Sequence, residues 1–227
     1  MDYQECLQNN ESYLVAYFKQ RVWSHFPLLG QDTFETVILQ KRALSAHFKT
    51  MYQLAIENMT SPEAIQIALD ILQDEYKPED HAILLDRDLQ RMGFSSERLA
   101  ANRPTIQTLE VITGAYVEVT RKAVIDVHFP TFLRTFGELL PGLEYAALVP
   151  ELERRYGLTA ANSEFYVPHM FHDHSDGLQQ KGGSHSDAFN EVILGMTISS
   201  PHLKTVVFTM QQALSLREKF WQQFKFR

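Results

Sequence analysis

Apolar residues in this chain recur at steps of three and four over almost its whole length, and no strand-length run of alternating polarity bounded by hairpin turns interrupts them. That period commits the chain to helices packed on helices. Leu14, Val15, Phe18, Val22 and Trp23 mark a first amphipathic helix, which stops at His25-Phe26-Pro27 because the residue before a proline is pushed out of the α region. A second, long pattern runs from Asp32 through Met59, with Phe34, Val37, Ile38, Leu44, Phe48, Met51, Tyr52, Leu54 and Ala55 on its inner face. Thr60-Ser61-Pro62-Glu63 starts another helix, with Ser61 as N-cap, Pro62 in the first turn and Glu63 facing the positive end of the dipole. The period predicts further helices from His81 to a Gly93 C-cap and from Arg103-Pro104-Thr105 through Val127, with a break at Phe129-Pro130. Others run from Leu143 over Pro150 to Tyr156-Gly157, from a Ser184-His185-Ser186-Asp187 cap through Met196, and from Pro201 to Phe224. The expected fold is all-α, about seven to nine helices in a bundle.

No Pro/Gly/Ser-rich linker divides the 227 residues, so residues 1–227 are read as a single domain. A net charge of -7 and a pI near 5.7 leave no basic stripe to neutralise phosphates, which argues against nucleic acid as a partner. Met1 to Asn10 is polar and acidic, unlike a signal peptide, and no apolar stretch reaches the roughly 18 residues that a membrane span needs. Cys6 is the single cysteine, so neither an internal disulfide nor a cysteine metal site can form. A cytoplasmic protein without a membrane partner is the expectation.

Chemistry gathers in Phe165-Tyr166-Val167-Pro168-His169-Met170-Phe171-His172-Asp173-His174-Ser175-Asp176, where three histidines and two aspartates fall within eight residues. In a helix, His169, His172, Asp173 and Asp176 share one stripe, and imidazole with carboxylate suits iron, manganese or zinc. Two other patterned segments set an acid among apolar neighbours. Glu75 stands four residues beyond Ile71 with His81 close after it, and Glu144 lies inside Leu143-Glu144-Tyr145-Ala146-Ala147-Leu148-Val149. A carboxylate facing inward needs a cation, a metal or a hydrogen-bond network. Glu75, His81, Glu144, His169 and Asp173 therefore form a ligand set drawn from four helices, with Glu118 and Asp126 in reserve. His172, His174, Asp176 and His185 compete for the remaining position. Tyr145 and Tyr166, each next to a ligand or near one in sequence, could donate a hydrogen bond or be oxidised.

This order of landmarks resembles the haem-oxygenase-like diiron oxidases and oxygenases. They are His25-Phe26-Pro27, Asp74-Glu75-Tyr76 followed by His81, Leu143-Glu144 before Val149-Pro150, Phe165-Tyr166 before His169-x-x-x-Asp173, and Phe220-Trp221. The resemblance implies a haem-oxygenase-like helical bundle holding two iron ions, or iron and manganese, that use dioxygen to oxidise a small organic substrate. It assigns Glu75 and His81 to the first glutamate and histidine, Glu144 to the mid-chain glutamate, and His169 and Asp173 to the late ligand helix. The family continues that helix with one more histidine, where this chain has Asp176. Either Asp176 supplies an oxygen ligand, or residues 177–183 are an insertion and His185 returns to the site. The same fold also serves metal-free thiaminase-type (TENA/PQQC-like) enzymes, for which Cys6 is badly placed as a nucleophile, and binding modules. Exposed aromatic residues near Phe220-Trp221 would allow a homodimer.

Overall fold

The computed structural model describes residues 2–173 and 184–224, apart from the side chains of residues 23–25 and 171–173. All regular structure among them is helical. The order is α1 (Tyr3–Val22), a 3-10 turn (Trp23–Leu28), α2 (Gln31–Ser45), α3 (Phe48–Ile56), α4 (Pro62–Asp74), α5 (His81–Arg91), α6 (Ser96–Ala101) and α7 (Ile106–Val119). There follow α8 (His128–Phe132), a π-helical turn (Leu133–Leu139), α9 (Leu140–Tyr156), α10 (Tyr166–Asp173), α11 (His185–Met196) and α12 (Ser200–Gln222). Residues 128–156 form one rod through the middle of the bundle, buried along most of its length. α10 lies along its second half, α12 packs against α1, α7 and α8, and α11 closes on α4 and the π-helical turn.

Local signals hold where they were read. The Ser61 hydroxyl accepts from the Ala64 N–H, Ser184 and Asp187 form a reciprocal capping box, and Gly93 and Gly157 end their helices at positive φ. Two long patterns are interrupted. The one from Asp32 to Met59 is jointed at Ala46 and His47, which stay in the right-handed region, so α3 continues α2 around a bend. Tyr116 on α7 meets His47 Nδ1 there at 2.7 Å. The one from Arg103 ends at Val119, and the chain reverses through Ala123 at φ 58. α8 then restarts with Pro130 in its first turn, where no N–H is needed, so this proline opens a helix instead of breaking one. Asp126, held in reserve as a ligand, accepts the N–H groups of Thr60 and Ser61 and so steadies the start of α4.

Pro141 gives the rod its wide turn. Proline has no N–H for the Gly137 carbonyl four residues back and crowds it, and the Leu140 N–H reaches Thr135 O, five residues away. Phe220 and Trp221 lie inside the core, so these two side chains themselves offer no exposed aromatic surface. Among the described residues, no helix is long and apolar enough to cross a membrane.

Asp88 of α5 fixes the start of α10. Its fully buried carboxylate accepts from Ser163 Oγ at 2.7 Å and from the N–H groups of Glu164, Phe165 and Tyr166 at 2.8 to 3.1 Å. These are donors that a helix beginning in the interior would otherwise leave unmatched. Replacing Asp88 by alanine should cost about 3 kcal/mol of unfolding free energy, measured by denaturant titration.

Candidate metal centre

The end of α4 and the start of α5 are joined by a loop that the chain itself clamps. The His81 N–H donates to Glu75 O at 3.0 Å, Asp80 caps α5 through the Ala82 N–H, and Lys49 holds both Asp80 oxygens at 2.7 Å. His81 Nδ1 thereby sits 3.2 Å from Glu75 Oε1, and its Nε2 lies 3.2 Å from Lys77 O. Burial alone would lower the His81 pKa, but the Glu75 carboxylate and the Lys77 carbonyl outweigh it and raise it.

His169 arrives from α10. Its Nδ1 donates to Phe165 O at 2.7 Å, which places the proton there and leaves Nε2 as a lone-pair donor. Its ring stands 4.8 Å from that of His81, nearly perpendicular, and packs against Phe165. One ligand atom each from Glu75, His81 and His169 falls within 4.8 Å of the others. Two imidazoles and a carboxylate on three separate segments match the facial donor set of non-haem iron, so these residues fit a divalent transition metal.

A second group lies on the same cavity wall. His185 of α11 faces Glu138 Oε2 at 3.4 Å through Nδ1 and Asp74 Oδ2 at 3.5 Å through Nε2. Burial lowers the His185 pKa and the two carboxylates more than restore it, so it is raised. Tyr52 donates to the other Glu138 oxygen, and Gly137 makes room for it: a Cβ there would stand 3.1 Å from the Tyr52 hydroxyl. The adjacent acids Asp74 and Glu75 thus serve the two groups separately. Both groups line a cavity of about 970 Å³ whose other walls include Phe48, Met51, Leu84, Leu85, Ile112 and Phe136.

The structure brings Glu75, His81, His169 and His185 to this wall and takes Glu144 elsewhere. Glu144 is wholly buried beside Lys41 and Arg217, both bonded to its Oε2, while Trp221 Nε1 donates to Oε1 at 2.8 Å. Burial raises its pKa, but the charges of Arg217 and Lys41 outweigh that and hold it low. Protein cations already take this carboxylate, so Glu138 stands where Glu144 was expected. Glu138, Asp74 and Tyr52 were not among the site candidates read from the sequence, although Glu138 is an acid inside an apolar run like the one that drew attention to Glu144.

Glu118, the other reserve ligand, pairs with Arg121. Tyr145 lines the cavity with its ring 5.7 Å from that of His169. Tyr166 does not line it; its hydroxyl is buried without a hydrogen-bond partner among the described residues, and burial drives its pKa upward. Cys6 does not line it either. The side chains of His25, His172 and Asp173, and residues His174 and Asp176, lie outside the described part.

Glu144→Ala removes the carboxylate that two buried cations share and should cost about 3–5 kcal/mol in denaturant unfolding. Because the folded pKa lies below the ordinary 4.5, the Glu144 contribution is complete above that value and is lost as pH falls through the lower one. Acid unfolding of Glu144→Gln should lack that component.

Comparison with known proteins accords with this architecture. A solved domain of unknown function with a haem oxygenase-like fold, from Shewanella denitrificans, superposes with a TM-score of 0.72 at 14% identity, covering 99% of this chain and 94% of that one. That likeness shows the fold. No curated protein matches. A family described as iron-containing redox enzymes matches residues 36–218, a span that takes in α3 to α11 and every residue of both groups on the cavity wall. The chain therefore belongs to the iron-containing redox enzyme family, on a haem-oxygenase-like all-α fold.

Proposed function

We propose that this protein is a non-haem iron oxidase or oxygenase that uses dioxygen to oxidise a small organic substrate held in the cavity. Glu75, His81 and His169 would hold one iron ion, and Glu138, His185 and Asp74 a second. The observation that carries the reading is the convergence of Glu75, His81 and His169 within 4.8 Å on the wall of a cavity large enough for an organic molecule. Iron so bound would supply the electron transfer to dioxygen that amino-acid side chains cannot.

The protein groups supply position and protons. Phe165 O fixes the His169 tautomer so that Nε2 is the ligating atom. Tyr52 holds one Glu138 oxygen and leaves the other turned toward His185. His81 faces acceptors at both ring nitrogens, so it carries a proton at each until a metal replaces one of them. Ligation therefore releases that proton. Phe48, Phe136 and Phe165 give the cavity an apolar wall against which an organic substrate would pack.

Anaerobic loading with ferrous iron should give about two ions per chain by elemental analysis, and His169→Ala or Glu138→Ala should each remove about one. Glu144→Gln should keep both. Exposure to oxygen should then produce a new absorbance band with oxygen consumption. Failure to bind iron, or loading without any response to oxygen, ends this reading.

A further inference from the structure

One imidazole on the cavity wall stands apart from the two groups proposed to hold metal. His47 occupies the joint between α2 and α3, Tyr116 belongs to α7, and both line the cavity. His47 Nδ1 meets the Tyr116 hydroxyl at 2.7 Å, while its Nε2 has no partner among the described residues. Burial lowers the His47 pKa, so the ring is uncharged at neutral pH.

The rest of the polar wall is of another kind. Each lysine, arginine and acid that lines the cavity faces an opposite charge or an imidazole. Lys41 and Arg217 face Glu144, Arg42 faces Asp86, Lys49 faces Asp80, Lys77 faces Asp74 and Glu164 faces Arg91. The acids of the two metal-binding groups face His81 and His185. A charged ligand would surrender its hydration to a wall whose charges are already matched, and that exchange is unfavourable. The pair of His47 and Tyr116 calls for no charge. Depending on which of the two donates in their shared bond, Nε2 either carries the imidazole proton or offers a lone pair. A hydroxyl can meet both states, by accepting or by donating.

The surroundings of the pair suit a hydrocarbon. Phe48 and Met51 follow His47 on α3, Ile112 and Ala115 precede Tyr116 on α7, and all four line the cavity. The joint is also tied to both metal-binding groups. Lys49 holds Asp80, which caps the helix that begins at His81, and Phe48 stacks at 4.5 Å on Tyr52, the donor to Glu138.

We propose that His47 and Tyr116 form a subsite for the hydroxyl of an uncharged organic alcohol, whose hydrocarbon body packs on Phe48, Met51, Ile112 and Ala115. This names a substrate class for the oxidation proposed above and rests on that reading for its chemistry, but the binding itself needs no metal.

The test uses metal-free full-length protein at neutral pH and four probes that share a hydrocarbon body: 3-phenylpropanol, 3-phenylpropionate, 3-phenylpropylamine and propylbenzene. Calorimetry should show the alcohol binding about tenfold or more tighter than the acid and the amine. His47→Phe should weaken the alcohol about tenfold and leave propylbenzene within about twofold of its wild-type affinity. The ring-nitrogen resonances of His47 in the wild-type protein decide the matter if this variant does not fold: they should shift with the alcohol and stay in place with propylbenzene. An acid or amine that binds as tightly as the alcohol, no measurable binding of the alcohol, an alcohol-to-propylbenzene ratio unmoved by His47→Phe, or ring signals that ignore the alcohol overturns the proposal. Iron uptake without preference for the alcohol defeats the subsite alone; preference without iron uptake defeats the redox reading and leaves the subsite standing.

Discussion

A carboxylate can be buried in a helical bundle only where something offsets its charge, and most of this architecture is an answer to that demand. Asp88 is met by backbone N–H groups, Glu144 by Lys41, Arg217 and Trp221, Glu118 by Arg121, and Glu151 by Arg154 and Arg155. Three of the acids on the cavity wall are treated differently. Glu75, Glu138 and Asp74 face imidazoles, and Glu138 a phenol as well. A lysine or arginine is a permanent cation, whereas an imidazole can exchange its proton for a metal. That choice of partner separates a structural ion pair from a place where chemistry can occur.

One helix does much to keep the place in order. α5 begins with His81 and, about two turns later, presents Asp88 to the N-terminus of α10. The two histidines of the first group are therefore referred to the same rigid element, although they lie far apart in the chain. Imidazoles held this way would need little rearrangement to take up the metal proposed for them.

What could be read from the chain and what could not divides along locality. The caps at Ser61 and Ser184 and the stops at Gly93 and Gly157 each depend on a few consecutive residues, and they stand where the pattern put them. His81 beside Glu75 and the His169 helix were legible for the same reason. Glu144 was not, because its partners Lys41 and Arg217 are 103 and 73 positions away and nothing near it announces them. Glu138 and Glu144 lie on one rod, six residues apart. At about 100° per residue they point some 120° from each other, so one cavity cannot receive both. Which of them it receives depends on packing around the widened turn before Pro141, and a regular 3.6-residue count cannot supply that.

The chain order of the residues proposed to hold metal has a consequence for how the protein comes into being. Asp74, Glu75 and His81 belong to the first half of the polypeptide, His169 and His185 to its last third, and the rod bearing Glu138 lies between. A ribosome that has released α5 has exposed one imidazole and two acids that still lack their histidine partners from α10 and α11. Neither group is complete until α10 or α11 has been made and has docked. On the proposed reading, metal would be acquired late in biogenesis, and a loaded centre would certify that α10 and α11 have docked.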